Sequence, residues 1–172
     1  LDGITALATY NGALYLGTTE SNASDIYRYD NGVGVAAAIS NISSNSLSSR
    51  DGIAALIVYN GKLYAGISDS SNAETWRYEG ANYSGSQVGN NTALLSTCTA
   101  GWCRVSIGSG AYIPGGSTGI DSAGTMVVSG GFLYQMTGNS SSSATTGGEI
   151  FRFKDFEGQS YSVLFNATTD NN

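Results

Sequence analysis

Thirteen acids, seven cations and two cysteines, with no histidine, are the residues this chain has for chemistry. Without a histidine, neither a Ser-His-Asp nor a Cys-His nucleophile can be assembled from this chain. Paired carboxylates could still perform glycoside hydrolysis, but nine of the twenty charged residues recur in three sets of equivalent positions. Arg28, Arg77 and Arg152 form one set. Asp25, Glu74 and Glu149 form a second, three residues before each arginine, and Asp2, Asp51 and Asp121 a third. Glu20, Asp69, Asp155 and Glu157 fall outside these sets and form no obvious acid pair. The sequence therefore reads as non-catalytic. For the arginines, the structural expectation is pairing with a cross-strand acid or stacking on a neighbouring tyrosine; the functional alternative is a ring presented to an anionic ligand. For Asp2, Asp51 and Asp121 the alternatives are backbone hydrogen bonding where a strand begins, or a ring of carboxylates facing a cation or polar ligand.

Other candidate sites are more local. Cys98 and Cys103 enclose Thr99-Ala100-Gly101-Trp102. Four intervening residues do not match the two-residue spacing of redox or zinc motifs, and a closed zinc site needs ligands that this chain lacks. A local disulfide is expected, which implies an oxidising compartment. Trp102 inside that loop is either a binding platform, for instance for a sugar, or a packed outer-strand residue. The segment from Glu20 to Asp25 and its counterpart from Asp69 to Glu74 carry oxygen ligands of the kind calcium takes, without an EF-hand or nonapeptide pattern; no cofactor is expected. N-x-S/T sequons occur at Asn22, Asn41, Asn82, Asn90, Asn139 and Asn166. These are exposed glycosylation sites if the source glycosylates asparagine, and polar loops if it does not.

The elements that position these residues are repeats. Residues 2–29 and 51–78 align without a gap at an offset of 49, and residues 121–153 repeat the unit with five residues inserted before its last strand. Each copy opens with an apolar strand: Ile4 to Tyr10, Ile53 to Tyr59 and Gly124 to Ser129. The second of these is apolar without alternation, as expected for a strand buried on both faces. Asn11-Gly12, Asn60-Gly61 and Gly130-Gly131 follow, the residues of a type I′ hairpin turn. A second strand carries the pairs Leu14-Tyr15, Leu63-Tyr64 and Leu133-Tyr134, whose tyrosines are expected to pack between repeats. A polar loop leads to a third strand: Ile26 to Tyr29, Thr75 to Tyr78 and Ile150 to Phe153. Fourth strands are expected within Val33 to Ile39, Trp102 to Ile107 and Tyr161 to Phe165.

Four antiparallel strands at a period near 50 match a propeller blade. The Tyr-Asn-Gly-Lys-Leu-Tyr-Ala-Gly run at residues 59–66, with Trp76-Arg77-Tyr78 closing the unit, resembles the blades of extracellular β-propellers and, more loosely, kelch repeats. The resemblance covers most of the chain and implies an all-β fold of three four-stranded blades, spanning about 1–49, 50–119 and 120–172 in one domain over residues 1–172. It implies no particular activity. Propellers close with four to eight blades, so three would belong to a longer propeller or be completed by association of copies.

Charged residues are only 12% of the chain, the net charge is −6 and the cations are scattered. No basic stripe suits nucleic acid, and no apolar run reaches membrane-span length. No signal-peptide pattern is read in these residues, and a chain starting at Leu1 is expected to be processed or a piece of something larger. A polar, weakly charged surface with a disulfide points to an extracellular or cell-surface setting. The expected function is a structural or adhesive module of a cell surface, sheath or filamentous appendage, with self-association or further blades as partners. A carbohydrate-binding, lectin-like propeller is the alternative, and part of a glycan-active propeller enzyme the third reading.

Overall fold

The computed structural model describes residues 2–21, 23–30, 37–38, 51–68, 74–80, 98–99, 101–105, 122–138, 148–155 and 160–166. Among them there is no helix, and all thirteen strands pair antiparallel. Repeat 1 contributes β1 (Gly3–Tyr10), β2 (Ala13–Thr19), β3 (Ile26–Asp30) and β4 (Ala37–Ala38). Repeat 2 contributes β5 (Gly52–Tyr59), β6 (Lys62–Ser68), β7 (Glu74–Tyr78), β8 (Cys98–Thr99) and β9 (Trp102–Arg104). Repeat 3 contributes β10 (Ser122–Ser129), β11 (Phe132–Gly138), β12 (Glu149–Asp155) and β13 (Ser160–Asn166).

The first three strands of each repeat pair in chain order, because two-residue turns return each first strand onto the second; in repeat 2 the third strand, β7, then pairs with β9, and β8 lies outside β9. Asn11 and Gly12 have φ of 48° and 78°, Asn60 and Gly61 47° and 70°, and Gly130 and Gly131 58° and 78°. These are the positive values a type I′ turn requires. The register slips at the same place in each first hairpin: between Ile4 and Ala6, Ile53 and Ala55, and Ala123 and Met126. A repeated bulge of this kind bends the strand and raises its twist. One element is additional to the expected strands. Repeat 2 has a short hairpin, β8 with β9, between its third strand and the end of the unit, turning at Gly101 (φ 84°). The fourth strand of repeat 1 is described only at Ala37–Ala38.

Among the described residues the strands join into one sheet that does not close on itself. The repeats are linked edge to edge by one residue pair each, Thr19 with Gly52 and Ser68 with Ser122. Side-chain hydroxyls reinforce both links: Thr19 Oγ1 donates to the Asp51 carbonyl at 2.8 Å, and the Ser68 and Ser122 hydroxyls lie 2.7 Å apart. The core forms between repeats. β5 lies against β1 and β2, and β10 against β5 and β6. The closest approaches occur at glycine. A Cβ on Gly17 would stand 2.5 Å from Ile53 Cγ2, and one on Gly66 would overlap the Ala123 carbonyl oxygen. Thr5 Oγ1 also donates across the junction to the Ile53 carbonyl at 2.8 Å.

Candidate functional site

The repeated charges are held by their own repeats. In strands, residues i and i+2 share a face, with the directly opposed cross-strand residue beside them. Tyr15, Tyr64 and Tyr134 stand opposite Arg28, Arg77 and Arg152. Arg28 donates to Asp30 at 2.8 Å from Nη2 and 3.0 Å from Nε. The buried Arg77 pairs with Glu79, whose other oxygen accepts from Lys62 at 2.7 Å. The paired acids thus lie two residues further along the chain, Asp30 at the end of β3 and Glu79 just past β7, not on the neighbouring strand, which corrects the cross-strand expectation. In repeat 3 that position is Lys154, and Arg152 instead sits 4.8 Å over the Phe132 ring. The Asp30 hydrogen bond raises the pKa of Arg28. Burial opposes the charge of Arg77, but Tyr64 and Glu79 outweigh it and hold the pKa above the usual value.

The second set marks where each third strand begins. Thr18 Oγ1 accepts from the Asp25 amide at 2.9 Å, and Thr137 Oγ1 from that of Glu149 at 3.0 Å. In repeat 2 the corresponding residue is Ile67, and the fully buried Glu74 carboxylate instead accepts from Trp76 Nε1 at 2.8 Å and Arg104 Nη1 at 3.3 Å. The Asp2 and Asp51 amides donate to Thr19 and Ser68 carbonyls at 3.0 and 3.1 Å, so both residues sit at strand starts with their backbones engaged. Asp121 lies outside the described residues, as do Asn22, Asn41, Asn82, Asn90 and Asn139; Asn166 ends β13. Among the described residues no three metal-ligating groups cluster.

Cys98 stands directly opposite Cys103 in the β8–β9 pair, the cross-strand placement a disulfide needs, and Cys103 is not a free thiol. Trp102 is fully buried, its ring 5.1 Å from that of Tyr78, and presents no open face to a ligand. Of the tyrosines, Tyr10, Tyr15 and Tyr59 make contacts across the junctions. Tyr10 and Tyr15 of repeat 1 meet Tyr78 of repeat 2 at centroid distances of 6.4 and 6.2 Å. Tyr59 of repeat 2 packs on Tyr64 at 6.1 Å and donates its hydroxyl to the Gly131 carbonyl of repeat 3 at 2.9 Å.

The series has the two uncovered faces that three unclosed repeats imply, and the sequence reading did not name the residues that line them. Repeat 2 is covered on both faces, and its Ile53 and Leu56 are buried. Their repeat 1 equivalents, Ile4 and Leu7, are 62% and 58% exposed. Leu14, Leu16 and Tyr29 are also more exposed than Leu63, Ala65 and Tyr78. A cavity of about 320 Å³ opens here, lined by Thr9, Gly12, Ala13, Leu14 and Tyr29. At the other end, Val127 is 54% and Met136 49% exposed on repeat 3. Comparison of the copies position by position carries a signal of this asymmetry: Gly17 and Gly66 become Met136, and Tyr10 and Tyr59 become Ser129.

Comparison with protein-family models, with curated proteins and with solved structures finds no match.

Proposed function

We propose that the chain is a non-catalytic β-propeller module of an extracellular surface, sheath or appendage, with a structural or adhesive role. Its repeats are blades, loosely kelch-like, completed by further blades of the same protein or by self-association. The observation that carries this reading is the use made of the repeated residues. Tyrosines, arginines and acids at equivalent positions are spent on strand pairing and on the junctions between repeats, and they do not converge on a cleft. Rings that stack edge to face across a junction, with a hydroxyl satisfied by a backbone carbonyl, give rigidity without a ligand. A Cys98–Cys103 disulfide and the sparse charge of the sequence support the extracellular setting.

A glycan-binding propeller is the weaker reading, because the aromatic residues that recur are buried at junctions and Trp102 is covered. Two measurements test the proposal together. Antibodies against the chain, applied to its native source with immunogold detection, are expected to label the cell envelope or an appendage. A glycan array probed with the purified chain is expected to give no specific signal. Labelling confined to the cell interior, or hydrolysis of any arrayed glycan, would refute it.

A further inference from the structure

We propose that the open face of repeat 1 docks a further β-repeat of the type of repeats 1 and 2, whose Tyr-Asn-Gly turn would seat a tyrosine ring in the cavity between Gly12 and Tyr29. This inference rests on the stacked-repeat reading of the previous section and names the partner of that stack.

The chain builds this interface twice and leaves it half-made at repeat 1. At the junction of repeats 2 and 3, the Tyr59 hydroxyl reaches the carbonyls of Gly131 and Phe153 at 2.9 and 3.5 Å. Gly131 and Phe153 are the repeat 3 equivalents of Gly12 and Tyr29. The cavity on repeat 1 therefore occupies the place that Tyr59 fills on repeat 3. The apolar residues around it repeat as well. Ile4, Leu7 and Leu14 correspond to Ile53, Leu56 and Leu63, all buried beneath repeat 1. An apolar sheet face with an empty aromatic socket favours an occupant shaped like the one already seen in the same register.

That occupant is not the open face of repeat 3 from a second copy. The tyrosine position there is Ser129, which offers no ring. The position of Gly17 and Gly66, which lets the next repeat approach, is Met136, and the position of Ala6 and Ala55 is Thr125. Each change removes one feature the junctions use: the ring, the close approach or the small apolar contact. The face of repeat 3 lacks the features through which repeats 1 and 2 cover the next repeat, whereas the face of repeat 1 keeps those that receive one. An interface between unlike faces propagates head to tail only when both halves are present.

The test restores the missing half. Sedimentation velocity over a range of concentrations is run on the wild-type chain, on Ser129→Tyr, and on Ser129→Tyr with Met136→Gly. Position 129 is exposed and 136 half exposed, so neither substitution removes core packing. The wild type is expected to sediment as a 17.7 kDa monomer. The double variant is expected to self-associate with concentration, at least tenfold more tightly than wild type, and Leu7→Asp added on repeat 1 to abolish this. A double variant no more associated than wild type would overturn the proposal, as would association that survives Leu7→Asp. Wild-type association abolished by Leu7→Asp would also overturn it, by making repeat 3 the occupant. The underlying stack is tested separately by Tyr59→Phe. An unchanged melting temperature there would undermine the stacked-repeat reading itself, whatever the sedimentation result.

Discussion

Gly17→Ala tests the physical basis of the fold most directly. The added Cβ would stand 2.5 Å from Ile53 Cγ2, 2.7 Å from Ile53 Cβ and 3.3 Å from Ala6 Cβ. Carbon atoms in good contact are about 3.5–4.0 Å apart, so the shortfall against Ile53 is about 1 Å. A long side chain could swing away, but Ile53 Cβ is fixed by its backbone, and relief requires β5 to move off β2. Overpacking of this kind costs about 1–3 kcal/mol. Loss of glycine's freedom in the unfolded chain offsets about 0.4–1 kcal/mol of that. The net expectation is a loss of about 1 kcal/mol, or ~2–4 °C in a chain of this size. The assay is thermal unfolding followed by near-UV circular dichroism, which reports the tyrosine junctions. Gly124→Ala is the control, because its Cβ would meet only Ser122 Oγ at 3.5 Å and the Met136 carbonyl oxygen at 3.6 Å. Its melting temperature is expected to stay level or rise. Ile53→Ala removes Cγ2 and should absorb part of the clash, so the double variant is expected to fall short of additivity by at least ~0.5 kcal/mol. A Gly17→Ala protein as stable as wild type, or strict additivity with Ile53→Ala, would refute the close-approach argument.

Three further predictions follow from the same contacts. Ile53→Ala should cost about 2–5 kcal/mol and Ile4→Ala no more than ~0.5, despite their equivalent positions, because only Ile53 is covered; denaturant midpoints compare them. Burial raises the pKa of Tyr15, so its contribution to stability is full below the ordinary tyrosine pKa of about 10 and is lost as pH rises through the higher folded-state value. Melting temperatures across the alkaline range should show a decline that Tyr15→Phe weakens, and an identical decline in the variant would exclude Tyr15 as its source. Glu74→Leu removes the buried acceptor of Trp76 Nε1 and Arg104 Nη1, at an expected cost of about 3 kcal/mol in urea unfolding.

The local structure was legible in the sequence because its causes are local. Asn-Gly and Gly-Gly pairs flanked by apolar runs dictate the hairpin turns, and the turns dictate pairing in chain order. The strand ends follow to within a residue or two, and the offset of 49 shows that one unit recurs. The roles of the charges were only partly legible. The pairing of Tyr15 with Arg28 depends on strand register, and the link from Arg28 to Asp30 on which face each residue takes. The β8–β9 hairpin was missed because two-residue strands carry no periodicity. Trp102 illustrates the same limit, since its type suits a platform or a core and only its neighbour Tyr78 decides. The sequence by itself determined the repeat, its turns and the residues it would reuse. Tertiary structure decided which copies of a residue are covered, because burial depends on what the next repeat presents. Ile4 and Ile53 are the same residue in the same local structure, and only the repeat stacked on the second separates them.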